Sequence, residues 1–369
     1  MAALQLLGME RPFRVVAPCP APQKPHTLPR PTAGFRMNGS FICGDIGGTK
    51  TALRAMQLKD GAPQVRYELQ YDSKAYASFS DVLRDFLARA GINHVDCNPA
   101  TACLAVAGPI MAQRAKLTNL PWLMDATDIT TEFSIPSVKL INDFEAVALG
   151  IEALSESDLV TLQPGKPQTQ GMRVALGAGT GMGVAWLTWQ GGRYLPLPTE
   201  AGHMDFAPAN ELQAGLLKYL RKEFGHVSIE RVISGPGLTN IFNFLQASLG
   251  ADSGLIRTDI DSDGAAQVTD LALNRKHPIA AKALDLFVEI YGAYAGNLAL
   301  AGLSRGGVYV AGGIAPKIID KLREGGFVQA FCSKGRYSAM MGEIPVRVVM
   351  NQKVGLLGAA EEAQRMLSS

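Results

Sequence analysis

Apolar residues recur along the chain with two different spacings, and the changes in spacing mark the predicted elements. Two apolar runs, residues 40–45 and 51–56, flank a glycine-rich turn and predict a β-hairpin. Residues 79–90 carry apolar side chains at helical spacing, and residues 102–107 form an apolar strand after them. Another apolar strand over residues 138–142 leads into a helix. This order predicts an α/β fold.

The second half of the chain begins with a loop and becomes more helical. Residues 163–170, rich in Pro, Gly and Gln, precede a second glycine-punctuated hairpin over residues 174–189. Because this hairpin repeats the strand, turn and strand of the first, it indicates a faint internal duplication. Further predicted elements are helices over residues 211–224, 237–249, 278–301 and near 316–325, and a strand over residues 307–311.

Composition limits the possible partners. The 369 residues are 47% apolar and 18% charged, enough for a sizeable core in two domains or one large α/β unit. A formal net charge of +2 is too balanced for a nucleic-acid-binding surface. No apolar run reaches the roughly 18 residues of a membrane span, and no signal peptide opens the chain. We therefore expect neither nucleic acid nor a membrane as a partner.

Residues 1–40 differ from the rest and are predicted to be a disordered leader. They contain seven prolines, and five Lys and Arg residues against one Glu. An organelle transit peptide, a low-complexity tail, and translated sequence upstream of a start at Met37 are the alternatives. The few acidic residues favour a transit peptide, whereas the few Ser residues count against it. Organelle targeting therefore stays open, and the other two interpretations are preferred.

The cysteines indicate a reducing compartment. Their number is odd and no Cys-x-x-Cys pair occurs, so neither a disulfide framework nor a zinc knuckle is predicted. The five are Cys19, Cys43, Cys97, Cys103 and Cys332.

The first glycine turn is a candidate phosphate site. Gly47 and Gly48 would let backbone N–H groups approach an anion. Asp45 could hold a hydrated magnesium ion and Lys50 could neutralise phosphate oxygens, which fits a nucleoside triphosphate. The turn lacks the helix of a Walker A loop, and its glycines alone fit a plain hairpin better. The candidate residues are Gly44, Asp45, Ile46, Gly47, Gly48 and Thr49.

Two later glycine-rich segments could contact the same nucleoside triphosphate. Met182 breaks the dinucleotide-binding spacing, so a Rossmann site is only weakly indicated. The second turn could still contact phosphates from the opposite side, and the end of the strand over residues 307–311 could border a base. Tight turns and packing are the alternatives. The candidate residues are Gly179, Thr180 and Gly181, with Gly312 and Gly313.

Polar residues after strands and turns are candidates for sugar chemistry. Asn142 and Asp143 end an apolar strand, where Asp143 could accept a proton from a substrate hydroxyl. Helix capping explains the pair about equally well. Glu200, His203 and Glu230 lie among turns and suit hydrogen bonds to sugar hydroxyls. A lone His is more often structural, and no second His or Cys lies at zinc-ligand spacing.

Seven motifs follow one another along the chain. They are Gly44-Asp-Ile-Gly-Gly-Thr, Leu-Thr-Asn-Leu-Pro-Trp122, Ile-Asn-Asp-Phe144, Gly-Ala-Gly-Thr-Gly181, Glu-Ala-Gly-His-Met-Asp-Phe-Ala-Pro208, His226-Val-Ser-Ile-Glu-Arg-Val-Ile-Ser-Gly-Pro-Gly237 and Ala-Gly-Gly-Ile314. Their order resembles bacterial-type glucokinases from about residue 41 to near the C-terminus. This family belongs to the sugar kinase, heat-shock protein 70 and actin superfamily. The resemblance implies an actin-like ATPase fold of two ribonuclease-H-like α/β domains with an active-site cleft between them.

The resemblance also implies domain bounds and a reaction. The smaller domain is expected over residues 41–152, joined by a C-terminal helix over 355–369, and the larger over 153–354. The implied reaction is ATP-dependent phosphorylation of glucose, the first step of glycolysis, by a cytoplasmic homodimer. Asp143 would be the general base, with Asn142, Glu200, His203 and Glu230 on the other hydroxyls. Both glycine turns would hold the ATP phosphates, Gly312 and Gly313 would border the adenosine, and Asp45 would support Mg²⁺ through water.

The alternatives are a related sugar-kinase family, a sugar sensor, an actin-like polymer and a different hexose. Lys50 stands where many family members carry Asn, and it resembles the related repressor and sugar-kinase family. That family typically has a cysteine-rich zinc motif, which residues 204–220 lack. A sugar sensor usually loses the base, and an actin-like polymer has no use for Glu200, His203 and Glu230. A hexose other than glucose stays possible.

Overall fold

The computed structural model describes residues 39–92, 99–117, 120–253 and 264–368, and the side chains of residues 249–253 are outside that description. Residues 1–38 of the predicted leader, residues 1–40, therefore lie outside the described residues, whereas Ser40 at its predicted end is buried and begins the first strand. Cys19 and Cys97 also lie outside the described residues, as do Thr118 and Asn119 of the Leu-Thr-Asn-Leu-Pro-Trp122 motif.

The described residues form a mixed α/β structure. The strands in chain order are β1 (Ser40–Ile46), β2 (Lys50–Lys59), β3 (Ala62–Asp72), β4 (Thr101–Val106), β5 (Ile110–Met111), β6 (Arg114–Lys116), β7 (Leu123–Asp125), β8 (Ser137–Asn142), β9 (Leu159–Gln163), β10 (Arg173–Ala178), β11 (Met182–Gln190), β12 (Arg193–Thr199), β13 (Gly307–Ala311) and β14 (Val346–Val349). The helices are α1 (Phe79–Arg89), α2 (Ala126–Phe133), α3 (Asp143–Gly150), α4 (Glu211–Phe224), α5 (Gly235–Ser253), α6 (Gly264–Leu273), α7 (Pro278–Ala301), α8 (Ile319–Arg323), α9 (Gly326–Cys332), α10 (Ser338–Gly342) and α11 (Val354–Met366).

Two large sheets repeat one plan. The first has the strand order β3-β2-β1-β4-β8 and the second β12-β11-β10-β13-β14-β9. In each sheet three antiparallel strands are followed by two strands that run parallel to the third. This shared order confirms the duplication that the two glycine hairpins indicate. A small sheet of β5, β6 and β7 stands apart.

The first sheet is covered on both faces. Alternate residues of β1 point to opposite sides, as strand geometry requires. Ile42 packs with the apolar face of α1, represented by Phe79 and Phe86. Phe41 on the other face packs with α3 and α11. Because both faces are buried, β1 and β4 read as continuous apolar runs in the sequence.

Helix α3 contacts both sheets. Its Ala146 and Leu149 pack with the first sheet and α11, whereas Ala148 packs with the second sheet. Helix α7 is apolar nearly all round and is the centre of the largest core cluster, on the other face of the second sheet. The structure therefore brings the ends of β1 and β8 towards the second hairpin through α3.

Most predicted elements are confirmed. Helices α4 and α7 and strand β13 have the predicted bounds. Helix α5 extends the predicted helix at both ends, and the segment near 316–325 divides into a 3₁₀ turn, Ala315–Ile318, and α8. Among the described residues, no helix is long and apolar enough to cross a membrane.

Candidate active site

The first glycine turn joins β1 to β2 and is fixed by a buried serine. The Gly47 N–H donates to the Lys50 carbonyl at 2.9 Å. Ser73 Oγ donates to the Gly47 carbonyl at 2.8 Å, and the Ser73 N–H donates to the Thr49 carbonyl at 3.0 Å. Ser73 had no signal in the sequence, because a single Ser after Asp72 fits no motif. It holds the candidate phosphate turn in shape.

The other candidates of this turn have different surroundings. Gly44 lies in β1 between Leu53 and Leu104, and a Cβ there would come within 2.7 and 2.9 Å of their side chains. The Ile46 side chain is buried in the core, so only its backbone can serve a ligand. Asp45 lies close to Gly355 at the start of α11, where a Cβ would be 3.4 Å from Asp45 Oδ2. Burial raises the pKa of Asp45.

Asp143 is the first residue of α3, at the carboxyl end of β8. The cap of the helix is Asn142, whose Oδ1 accepts from the Phe144 N–H at 2.8 Å and the Glu145 N–H at 3.3 Å. Asn142 Nδ2 also donates to the Gly108 carbonyl at 3.3 Å. The capping interpretation therefore applies to Asn142, and Asp143 is not the residue that caps α3.

The carboxyl group of Asp143 is held in an unusual environment. Burial, with added contributions from the negative charges of Asp45 and Glu200, raises its pKa to about 6, and a backbone hydrogen bond from Phe144 acts in the opposite direction. The hydrogen bond from the Phe144 N–H to Asp143 Oδ1 is 2.8 Å long. The charges of Asp45 and Glu200, which belong to two other motifs, thus act on Asp143, and a pKa near 6 suits a general base at neutral pH.

Phe144 links this carboxylate to the second hairpin. A Cβ at Gly183 would lie 1.9 Å from Phe144 Cδ2, and a Cβ at Gly177 would lie 2.6 Å from Cζ. The ring therefore occupies the space that side chains at both positions would need. These two glycines of the second motif serve packing, and they bring Asp143 beside the hairpin that carries the second turn.

The second turn is held at both of its ends. The Gly179 N–H donates to the Gly181 carbonyl at 2.9 Å, and the Gly235 N–H donates to the Gly179 carbonyl at 2.8 Å. The Met182 N–H donates to Glu230 Oε2 at 2.9 Å. Thr180 at the tip is exposed. Glu230 therefore lies against the turn as well as among the candidate sugar residues.

The segments that carry His203 and Glu230 lie side by side. An antiparallel bridge joins Asp205 to Ser228, and the Ile229 N–H donates to the Met204 carbonyl at 2.7 Å. Glu200 precedes the 3₁₀ turn Ala201–His203, and both Glu200 and His203 are exposed. The backbone segments of two distant motifs are thus adjacent.

The glycines after β13 adjoin the second turn. Gly312 has a φ of +81°, and a Cβ there would come 2.5 Å from the Ala178 carbonyl oxygen. Only glycine fits both conditions. At Gly313 a Cβ would meet nothing within 4 Å. Because β13 runs parallel to β10, these glycines and the second turn lie at the same edge of the sheet.

The match to a family model decides the family. A model described as glucokinase covers residues 42–366 of this chain. The chain belongs to the glucokinase family. A glucokinase of Nostoc sp. is 42% identical over 342 residues, which cover 88% of this chain and 99% of that relative. A glucokinase of Synechocystis sp. is also 42% identical, over 88% of this chain and 98% of its own length.

Solved structures show the same fold. The crystal structure of a glucokinase from an Antarctic psychrotroph has a TM-score of 0.77 and 32% identity, over 88% of this chain and 99% of that one. A ROK family glucokinase from Streptomyces griseus, in complex with glucose and AMPPNP, has a TM-score of 0.58 and 20% identity, over 89% of this chain and 100% of that one. The glucokinase family fold is therefore shared with the wider group of ROK sugar kinases.

Proposed function

We propose that this chain transfers the γ-phosphoryl group of ATP to the 6-hydroxyl of glucose, with Asp143 as the general base. The observation that carries the proposal is the carboxyl group of Asp143, whose pKa is raised to about 6 by burial and by the charges of Asp45 and Glu200. Membership of the glucokinase family supports the reaction. The S. griseus neighbour, which was crystallised with glucose and AMPPNP, supports the two substrates.

The fold supports two domains around a cleft. We assign residues 41–152, together with a C-terminal helix over 355–369, to a smaller domain and residues 153–354 to a larger one. The repeated sheet order fits two ribonuclease-H-like domains of the actin-like ATPase kind. Packing of α11 against the first sheet supports its place in the smaller domain. The leader predicted over residues 1–40 would lie outside both domains and end before Ser40, because Ser40 is the first residue of β1.

Substrate roles follow from this arrangement. Both glycine turns would hold the ATP phosphates through backbone N–H groups other than those of Gly47 and Gly179, which donate within their own turns. Gly312 with Gly313 would border the adenosine. The phosphate residues are Gly44, Asp45, Ile46, Gly47, Gly48 and Thr49, with Gly179, Thr180 and Gly181. Glucose hydroxyls other than the reacting one would be bound by Asn142, Glu200, His203 and Glu230.

The residues around Asp45 fit a hydrated magnesium ion. Asp45 is a carboxylate whose pKa is raised by burial, and its charge also acts on Asp143. In the described ranges no three His, Cys, Asp or Glu side chains form a metal site. Mg²⁺ needs no such cage, since it keeps several waters and uses one or two carboxylates with substrate phosphates. Such an ion, held through water by Asp45, would neutralise charge on the ATP phosphates.

The catalytic step then depends on position and charge. The 6-hydroxyl of glucose loses its proton to Asp143 as its oxygen attacks the γ-phosphorus, and the bond from that phosphorus to the ADP oxygen breaks in line. The ring of Phe144 packs against Gly177 and Gly183 of the second hairpin, and this packing would hold the base in a fixed position relative to the phosphates. Closure of the two domains would exclude water and limit hydrolysis of ATP.

Coupled detection of ADP release tests the proposal. We would supply magnesium-ATP and a panel of single hexoses to the full chain and to a chain beginning at Met37. Rapid turnover that depends on glucose is the expected result. Silence with every hexose would overturn the proposed function and favour a sugar sensor. A cytoplasmic homodimer, which the family resemblance implies, is part of the proposal, and sedimentation that gives a monomer would remove it.

A further inference from the structure

Met182 ends the second glycine turn and contacts both segments that carry the candidate sugar residues. Its N–H donates to Glu230 Oε2 at 2.9 Å. Its carbonyl lies against Gly202, between Glu200 and His203, where a Cβ would come 2.1 Å from the Met182 oxygen. A displacement of Met182 would therefore shift both segments that carry candidate sugar residues, and a displacement of either segment would shift the turn.

The contact between Glu230 and the turn requires a glycine. A Cβ at Gly181 would lie 2.5 Å from Glu230 Oε2 and 3.4 Å from its carboxyl carbon. The backbone of the same segment is also fixed, because Ser234 Oγ donates to the Glu230 carbonyl at 2.7 Å and the Gly235 N–H bonds to the turn. The carboxylate thus acts as a short link from its own segment to Met182.

We propose that Glu230 couples sugar binding to nucleotide binding by holding the second phosphate turn. One carboxylate oxygen accepts from the Met182 N–H, which leaves the other for a sugar hydroxyl. A sugar that orders Glu230 therefore also orders the turn, and a nucleotide that orders the turn also orders Glu230. The coupling is reciprocal by thermodynamic linkage. This inference rests on the proposed function.

Two alanine substitutions in the turn separate this coupling from a plain phosphate role. Gly181→Ala would push the carboxylate of Glu230 away from Met182. The fold should survive, because the atom displaced is the end of a flexible side chain. Gly179→Ala is the matched control, because a Cβ there meets nothing within 4 Å. Neither glycine has a φ in the left-handed region, so alanine strains neither backbone.

Glucose binding without nucleotide is measured first, by isothermal titration calorimetry. We expect Gly181→Ala to raise the Kd for glucose by about fivefold or more, which corresponds to about 1 kcal/mol, and Gly179→Ala to leave it within about twofold. Circular dichroism and the thermal midpoint check that both variants are folded. Equal glucose affinities in the two variants would overturn the inference.

The coupling itself is measured with AMPPNP and Mg²⁺, with and without saturating glucose. In the wild-type chain glucose should tighten AMPPNP binding by about fivefold or more. Glu230→Ala should bring this ratio close to one, Glu230→Gln should restore part of it, and Glu200→Gln should weaken glucose binding but keep the ratio. A wild-type ratio in Glu230→Ala would overturn the inference alone. A wild-type chain that does not bind glucose would overturn the proposed function and this inference with it.

Discussion

At the residue scale, the surroundings of Asp143 determine the pH range in which it can act as a base. A base must be deprotonated to accept a proton, and the pKa of Asp143 is raised to about 6 by burial and by the charges of Asp45 and Glu200. We expect kcat/KM for glucose to fall as the pH drops through about 6, with the slope of one proton.

A pH profile between pH 5 and 8, in the presence of saturating magnesium-ATP, checks this expectation. Glu200→Gln removes one of the negative charges that raise the pKa, so its acid limb should move to lower pH. A profile that stays flat down to pH 5 would contradict the role of Asp143.

Replacing Asp143 by Asn should reduce turnover and raise stability. Loss of a general base typically costs 10²–10⁴-fold in rate. A carboxyl group with a pKa higher in the folded chain than in the unfolded chain opposes folding when charged. That cost is full above pH about 6 and absent below pH about 4, so Asp143→Asn should gain at most about 3 kcal/mol at pH 7.5.

Thermal unfolding at pH 7.5 and at pH 4 measures this gain, and the ADP-release assay measures the loss of turnover. The gain should be present at the higher pH and vanish at the lower. Near-normal turnover would place the base elsewhere, whatever the stability.

Some residues of the candidate site could be predicted from the sequence, and others could not. Asn142 and Asp143 follow an apolar strand, so their position at the edge of the sheet could be predicted. Which of the two caps α3 could not be, because both residue types cap helices. Ser73 could not be found at all, since its three partners lie at residues 47, 49 and 51 and only the fold brings them together.

Ser73 gives a prediction about the first turn. Ser73→Ala removes the hydroxyl that bonds to the Gly47 carbonyl and to Thr51 Oγ1. We expect KM for ATP to rise several-fold, because the turn loses its support, while the Kd for glucose stays unchanged. Ser78→Ala is the control, because it removes the N-cap of α1 at a cost of about 1 kcal/mol without touching the turn.

Steady-state kinetics in ATP, at saturating glucose, compare the two serine variants. If Ser78→Ala raises KM for ATP as much as Ser73→Ala does, the effect is one of general stability and the assigned role of Ser73 is wrong.

At the element scale, α3 joins the two sheets through the ring of Phe144. Gly183→Ala would place a Cβ 1.9 Å from Phe144 Cδ2, closer than any real contact. Overpacking of this kind costs about 1–3 kcal/mol, and it should also move Asp143 and lower kcat. Phe144→Leu shortens the side chain and should restore part of both losses in the double variant.

Urea unfolding of the wild type, both single variants and the double variant forms a double-mutant cycle. A favourable interaction energy of at least about 0.5 kcal/mol between Gly183→Ala and Phe144→Leu is expected for residues in contact. Additive losses would contradict the packing of Phe144 against Gly183.

The elements differ in how well the sequence predicts them. The bounds of α7 are clear because His277 and Pro278 begin it and Gly302 follows it. The sequence does not predict strand β12, because the two prolines in Arg193–Thr199 argue against a strand. It can hold them because it is the edge strand of its sheet. The polar residues of β3 likewise belong to an edge position in the first sheet.

At the scale of the whole molecule, the site is built from segments far apart in sequence. Asp45 is the penultimate residue of β1, Asp143 follows β8, and Glu230 comes from the 3₁₀ turn Ile229–Arg231. The motifs predict the candidate residues, because their order resembles a known family. They do not predict that Glu230 contacts Met182, since that hydrogen bond depends on the backbone of two segments.

The two ends of the chain should differ in their importance for folding and turnover. The described strands and helices begin at Ser40, and the family match begins at residue 42. A chain starting at Met37 should therefore keep both the thermal midpoint and the turnover of the full chain. The assay with both chains measures this, and a loss of turnover in the shorter chain would give the leader a catalytic role.

Removal of the other end should prevent folding. A chain ending at Met350 loses α11, which covers the face of the first sheet formed by Phe41, Cys103 and Ile141. It also loses a hydrogen bond from Thr101 Oγ1 to the Ala363 carbonyl and the ion pair between Lys139 and the buried Glu362. Exposing this apolar face costs more than the few kcal/mol that a domain has in reserve, so the shortened chain should be unfolded or aggregated. Circular dichroism and gel filtration measure this, and a folded, active chain without α11 would contradict its assignment to the core of the smaller domain.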